Sequence, residues 1–287
     1  PLLFLQVLYG QFFYSSSIIV GAPWFLVIVF LTLAYYGFYL VAFKQDVHST
    51  RTGWLLVLSL ALIFVIGFFY SNNLTLMLTP EKWAAKYHTD PSGWNLNLSE
   101  ATLVARFLHF MVAALAIGSL FVAFVGLLHW KKDAGHARFL IRFGGRGFLY
   151  LTMLQIAVGL WFLISLPREK MMLYMGQNLL ATVALFIGIM GALAAIFVMM
   201  EALRKHDPRK GFYLASGMAL LIVVFMAIMR EILQDAYLAE YFKPANFAVK
   251  TQWDVLVLFL ALFLGGVGLW LAMIKRYFFS PKLRVES

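Results

Sequence analysis

The chain has 287 residues, 63% of them hydrophobic and only 13% charged, with a mean hydropathy of +0.84; a soluble domain is nearer half apolar and a quarter charged, so this is an integral membrane protein. The formal net charge of +10 is carried in short loops between apolar runs rather than in one basic stripe, which argues against a nucleic-acid surface. Cysteine is absent, which excludes disulfides, thiolate metal sites, iron–sulfur ligation and covalent c-type haem attachment within this chain, and leaves His, Met and carboxylates as metal ligands.

Residues 1–21, broken by polar side chains, read as the remnant of an upstream span or as an interfacial segment. Seven helices are predicted at 22–45, 52–78, 100–130, 138–166, 171–204, 210–238 and 251–277. They form a single transmembrane helical domain over 22–277, with 278–287 as a cytoplasmic tail. Runs of about twenty residues nearly free of charge match the length needed to cross a bilayer as helix. The runs do not alternate polar with apolar, so a barrel is excluded and the fold class is an all-α polytopic bundle. Only the loop "TPEKWAAKYHTDPSGWNLNLSE" is long. At its end "NLSEATL" predicts a helix start, with Ser99 capping free amides and Glu100 against the positive end of the helix dipole.

Orientation follows from the basic residues in alternate loops. One side carries Lys44, Arg51, Lys131, Lys132, Arg138, Arg142, Arg146, Arg204, Lys205, Arg209, Lys210, Lys275, Arg276, Lys282 and Arg284. The other carries Lys82, Lys86, Arg106, Arg168, Lys170, Arg230, Lys243 and Lys250. The positive-inside rule makes the richer side, with the C-terminus, cytoplasmic, as in a bacterial inner membrane. The long loop and the "LPREK" turn then face out. Tryptophans 54, 83, 94, 161 and 253 fall near span ends, where aromatic belts form.

Five of the six histidines, at 48, 88, 129, 136 and 206, fall in loops or at span ends. His109 lies about nine residues into a span, about 13 Å along the helix from its outer end. A polar group at that depth needs a partner and is a functional candidate. One reading is a histidine hydrogen-bonded to a neighbouring helix; the other is an axial ligand to haem iron, which imidazole suits. Arg106, three residues earlier, shares its face and could pair a haem propionate or reach lipid headgroups. Arg230, Glu231, Gln234 and Asp235 form a second polar cluster at the outer end of the sixth span, readable as a site or as an ion-pair network. In the outer turn, Met171, Met172 and Met175 read as packing residues, one of which could serve as a sixth iron ligand.

The order of helices and motifs resembles subunit I of the cytochrome bd quinol oxidases. "FLHFMVAALAIGSLFVAFVGLLHWKKDAGHARFLIRFG" is similar to the family helix that carries the histidine of the low-spin b haem, followed by its short basic loop, and so maps the ligand to His109. "GAPW" and "SNNLTLMLTPEKW" resemble the preceding helices, "LYMGQNLL" suggests Met175 as the methionine completing that haem, and "MREILQDAY" suggests Arg230 as the matching arginine. Two family helices, with the histidine of the oxygen-reducing haem pair, find no counterpart. The family's pathway glutamates align near Val27 and Tyr35 and its ligating glutamate near Ala227, and its long quinol loop is reduced to "LPREKMM".

The resemblance therefore implies electron transfer without oxygen reduction. One b-type haem, held by His109 and Met175 with Arg106 and Arg230 nearby, would pass electrons between the quinone pool and an external, multihaem c-type cytochrome, within an assembly of other membrane subunits. Quinone would sit near Arg168, Glu169 and Glu231, where a carboxylate can take a proton from quinol and an arginine can steady developing charge. Lys82, Lys86 and Arg168 are the outer basic residues available to an acidic cytochrome. The rival reading is a haem-free scaffold or anchor subunit of a respiratory complex with a degenerate version of the same fold.

Overall fold

A computed structural model describes residues 2–43, 50–205, 207–243, 246 and 252–279. The described residues hold ten α-helices and no strand: α1 Leu2–Ile19, α2 Gly21–Phe43, α3 Thr50–Met77, α4 Trp83–Thr89, α5 Thr102–His129, α6 Ala134–Ser165, α7 Arg168–Met172, α8 Leu179–Arg204, α9 Arg209–Leu238 and α10 Trp253–Phe279. Seven of them, α2, α3, α5, α6, α8, α9 and α10, are long and apolar enough to cross a membrane. The chain is an all-helical, multi-pass membrane protein.

The centre of the molecule is a ring of four spans in which α5 packs on α6, α6 on α8, α8 on α9, and α9 touches α5. Small residues let the backbones close up, as lipid-embedded helices need when apolar burial alone gives little drive. The buried face of α8 is Ala181, Ala184, Gly188, Ala192, Ala195, Met199 and Ala202, a three-and-four spacing that meets Phe212, Ala215 and Ala219 of α9. A Cβ on Gly144 of α6 would stand 2.6 Å from the Ala123 nitrogen, so only glycine permits that approach to α5. One half of the ring is filled by Leu120, Leu127, Ile141, Phe148, Met199 and Phe212. At the opposite end Leu163, Leu166, Tyr174, Ala181 and Leu233 make a second cluster. Space is left between the two.

Helices α2 and α3 pair beside α5, and α10 is exposed over residues 253–273. α1 buries Tyr9, Phe12, Phe13 and Ser16, one helical stripe, against α3, α4 and the end of α9. Its Tyr9 hydroxyl donates to Asp235 at 2.8 Å, and Ser17 Oγ accepts from Asn73 at 3.0 Å, so α1 bridges the ends of α9 and α3.

Two local expectations need correction. The single helix over 171–204 is broken: after α7 come a π-helical turn at 173–177 and a restart at α8, because Gly176 sits at φ +112° and Asn178 caps α8 by accepting from the Ala181 amide at 3.0 Å. The predicted Ser99 cap does not form. α5 begins at Thr102 without a side-chain cap, and Glu100 instead pairs with Lys82 at 2.7 Å, tying the end of the 78–101 loop to its start. That loop also contains α4.

Candidate functional site: a cavity among four spans

The space between the two packed clusters is an apolar cavity of about 350 Å³, walled by α5, α6, α8 and α9 and roofed by the 166–178 turn. Its walls are mostly Ile, Leu, Val, Ala, Phe and Met. The polar exceptions are Arg106 and His109 of α5, Gln155 of α6, Arg230 of α9 and the roof residue Tyr174.

His109 is held from α6. The Gln155 side-chain nitrogen lies 3.1 Å from Nδ1 and 3.2 Å from Nε2 of the imidazole, and the Phe162 ring lies 5.9 Å away, centroid to centroid. Gly159 makes room for the ring: a Cβ there would stand 3.2 Å from His109 Cε1 and 3.4 Å from Nδ1. The Gln155 carbonyl oxygen is buried without a hydrogen-bond partner. The group that meets the imidazole is thus the Gln155 amide N–H, which donates to an unprotonated ring nitrogen, and the same amide carries a spare acceptor oxygen.

The arginines gather at the roof end. Arg106 is buried, with its guanidinium 5.0 Å from the Phe162 ring centroid and its Nε without a partner. Arg230 Nε is also buried without a partner, while its terminal nitrogen reaches Glu231 at 3.7 Å. Buried donors left unpaired are costly, and charged ones more so. The roof is tied down by bonds to the backbone carbonyls of α9. Tyr174 donates to the Met229 carbonyl at 2.8 Å, and burial pushes its phenol up to about 12. Lys170 donates to the Ala236 carbonyl at 2.6 Å and faces the Tyr237 ring. Three residues of the wall, Leu160, Val223 and Ala227, are also exposed on the outside of the bundle, so the cavity opens sideways.

No protein family, curated protein or solved structure matches the chain.

Of the sequence candidates, His109, Arg106 and Arg230 are brought to one cavity from two helices. Met175 is not among its lining residues. It sits in the π-helical turn with φ −104° and ψ 27°, 49% exposed, and the thioethers that do line the cavity are Met226 and Met229 of α9. Arg168 and Glu169 lie exposed on α7. Glu231 turns toward α1, accepting from the Tyr9 hydroxyl at 3.3 Å. Lys82 and Lys86 are engaged within the loop, with Glu100 and with the Leu96 carbonyl. Gln155 and Gly159 were not singled out from sequence, although an amide inside the apolar run "LQIAVGLWF" is a signal of the kind that drew notice to His109. No cluster of three His or acidic residues suited to a multi-ligand metal ion occurs among the described residues.

The walls fit a flat apolar group with acidic substituents. They offer one imidazole, an apolar slot, and two guanidinium groups with spare donors at one end.

Proposed function

We propose that the chain is a membrane electron-transfer subunit, similar in kind to subunit I of the cytochrome bd oxidases, with one b-type haem in the cavity of the four-helix ring. The observation that supports this best is a lone imidazole facing an apolar cavity whose far end holds two buried, unpartnered guanidinium nitrogens. His109 would supply the axial nitrogen and Arg106 and Arg230 would pair the propionates. With its amide turned to present the oxygen, Gln155 would accept from the remaining imidazole N–H. A bound haem supplies a one-electron couple, and the low-polarity walls and nearby charges set how readily it is filled.

The chain's own residues do the rest. Phe162 and Leu163 keep water from the slot, and Arg106 and Arg230 hold positive charge at the end where acidic groups would sit. The role first given to Met175 passes to Met226 or Met229, which stand in the wall. Beside Arg230, the Glu231, Asp235 and Tyr9 group offers carboxylates to take a proton from quinol. The electron partners are then the quinone pool and a c-type cytochrome on the outer face of a bacterial inner membrane, with further membrane subunits alongside and the C-terminus in the cytoplasm.

The test is the pyridine haemochrome spectrum of the purified full chain. One b-type haem per chain is expected, lost in His109→Ala and kept in Met175→Leu. A chain without Soret and α bands overturns the haem reading in favour of a scaffold, and full haem in His109→Ala overturns the ligand assignment.

A further inference from the structure

The end of the bundle away from the cavity carries a feature that the haem reading leaves unused. Along the first turns of α6, Arg138, Arg142 and Arg146 follow one another at steps of four residues, and all three are exposed. That spacing sets them on one face as a ribbon about 12 Å long. Arg138 and Arg142, with Lys205 from the end of α8, line a recess whose apolar walls are Ile141, Leu203 and Pro208.

Among the described residues the ribbon has no internal counter-charge. The carboxylates at this end of the described chain are Asp133, Glu201 and Asp207. Asp133 caps α6 by accepting from the Gly135 and His136 amides, Glu201 pairs with Lys205 at 3.4 Å, and Asp207 pairs with Arg209 at 2.7 Å. No ion pair forms to Arg138, Arg142 or Arg146 among the described residues; Arg138 has only the Trp130 ring, 6.0 Å away. Arg146 stands twelve residues into α6, beside the exposed rings of Phe143 and Tyr150, so this face looks onto lipid rather than onto water alone. Loop lysines such as Lys131, Lys132 and Lys210 already supply positive charge for orientation, so orientation does not require the ribbon.

We propose that this ribbon and recess bind the phosphate headgroup of an anionic phospholipid, its acyl chains lying along Phe139, Phe143 and Tyr150. Guanidinium forks suit phosphate oxygens, and basic pockets between spans on the cytoplasmic side are the setting for such lipids. The reading is independent of the cavity and its contents.

The experiment places the purified full chain in nanodiscs of phosphatidylcholine with a minor fraction of spin-labelled phosphatidylglycerol or spin-labelled phosphatidylcholine, and reads the motionally restricted fraction of each. The wild type is expected to restrict the anionic lipid preferentially. Arg138→Gln/Arg142→Gln/Arg146→Gln should lower that preference at least about tenfold, since it removes the guanidinium forks that hold the phosphate in the recess. Lys131→Gln/Lys132→Gln/Lys210→Gln, which removes the same charge at the same end, should keep it. The triple Arg→Lys variant, which retains charge and folding, should lose part of it because the forks are gone. Millimolar inorganic phosphate should not displace the lipid. Equal loss in the lysine variant, no loss in the arginine variant, no effect of Arg→Lys, or displacement by inorganic phosphate would each overturn the proposal.

Discussion

Two buried polar regions of this molecule differ in what their unpaired atoms face. In the four-helix ring, Arg106 Nε, Gln155 Oε1 and Arg230 Nε belong to side chains that line open space. At the ends of α3 and the 78–101 loop, Asn72, Asn73 and Asn97 are also buried with unpaired amide atoms, but they lie against neighbours: Asn97 N–H donates to Asn72 Oδ1 at 2.6 Å and Asn73 to Ser17 at 3.0 Å. The second region holds neutral groups that pin α1 and the loop to α3. The first holds charge beside a void. A neutral amide can be satisfied by a water, whereas a buried guanidinium asks for an acid. The contrast separates a polar seam tied by its own hydrogen bonds from a polar rim that borders open space.

Substitutions should divide along that line. The largest effect is expected from Gly159→Val, whose side chain would occupy the space of the His109 ring; haem content should fall to near background while thermal unfolding of the chain shifts little, as read by haemochrome and by circular dichroism. Gln155→Leu removes the amide that orients the imidazole and should weaken haem retention about 10- to 100-fold, with a shifted midpoint potential in the haem that remains. If the seam is structural, Asn72→Ala should do the reverse: it leaves the Asn97 N–H buried without an acceptor, lowering stability by about 1–3 kcal/mol with haem content unchanged. Comparable haem loss in Asn72→Ala and Gln155→Leu would erase the distinction.

The smallest effect belongs to the roof. Tyr174→Phe deletes one neutral bond to Met229 and should cost about 1 kcal/mol. Its pH dependence follows from the raised phenol: the folded group titrates at about 12 against an ordinary 10, so its contribution is complete below pH 10 and is lost as pH rises through 12. Stability should decline over that window, and the decline should be shallower in Tyr174→Phe, as followed by tyrosinate absorbance and melting.

The spans were legible because twenty apolar residues in a row leave a helix few alternatives, and His109 was legible because a lone imidazole interrupts such a run. The break at 173–178 was not, since its cause is the positive φ of Gly176 inside a sequence that otherwise reads as helix. That break also sets the place of Met175: as part of a continuous helix it would keep the register of α8, whereas the π-helical turn leaves it half exposed. Gly159 carries no chemistry of its own, and its importance exists only once α6 is set against α5.

The sideways opening at Leu160, Val223 and Ala227 has a consequence for how the cavity is supplied. With α1 and the roof turn lying over the end of the bundle, the bilayer itself borders the gap. The relevant dose of any ligand is then its mole fraction in the membrane. Apparent affinities measured in detergent should scale with the amount of micelle, and filling should depend on partitioning into lipid before it depends on encounter with protein.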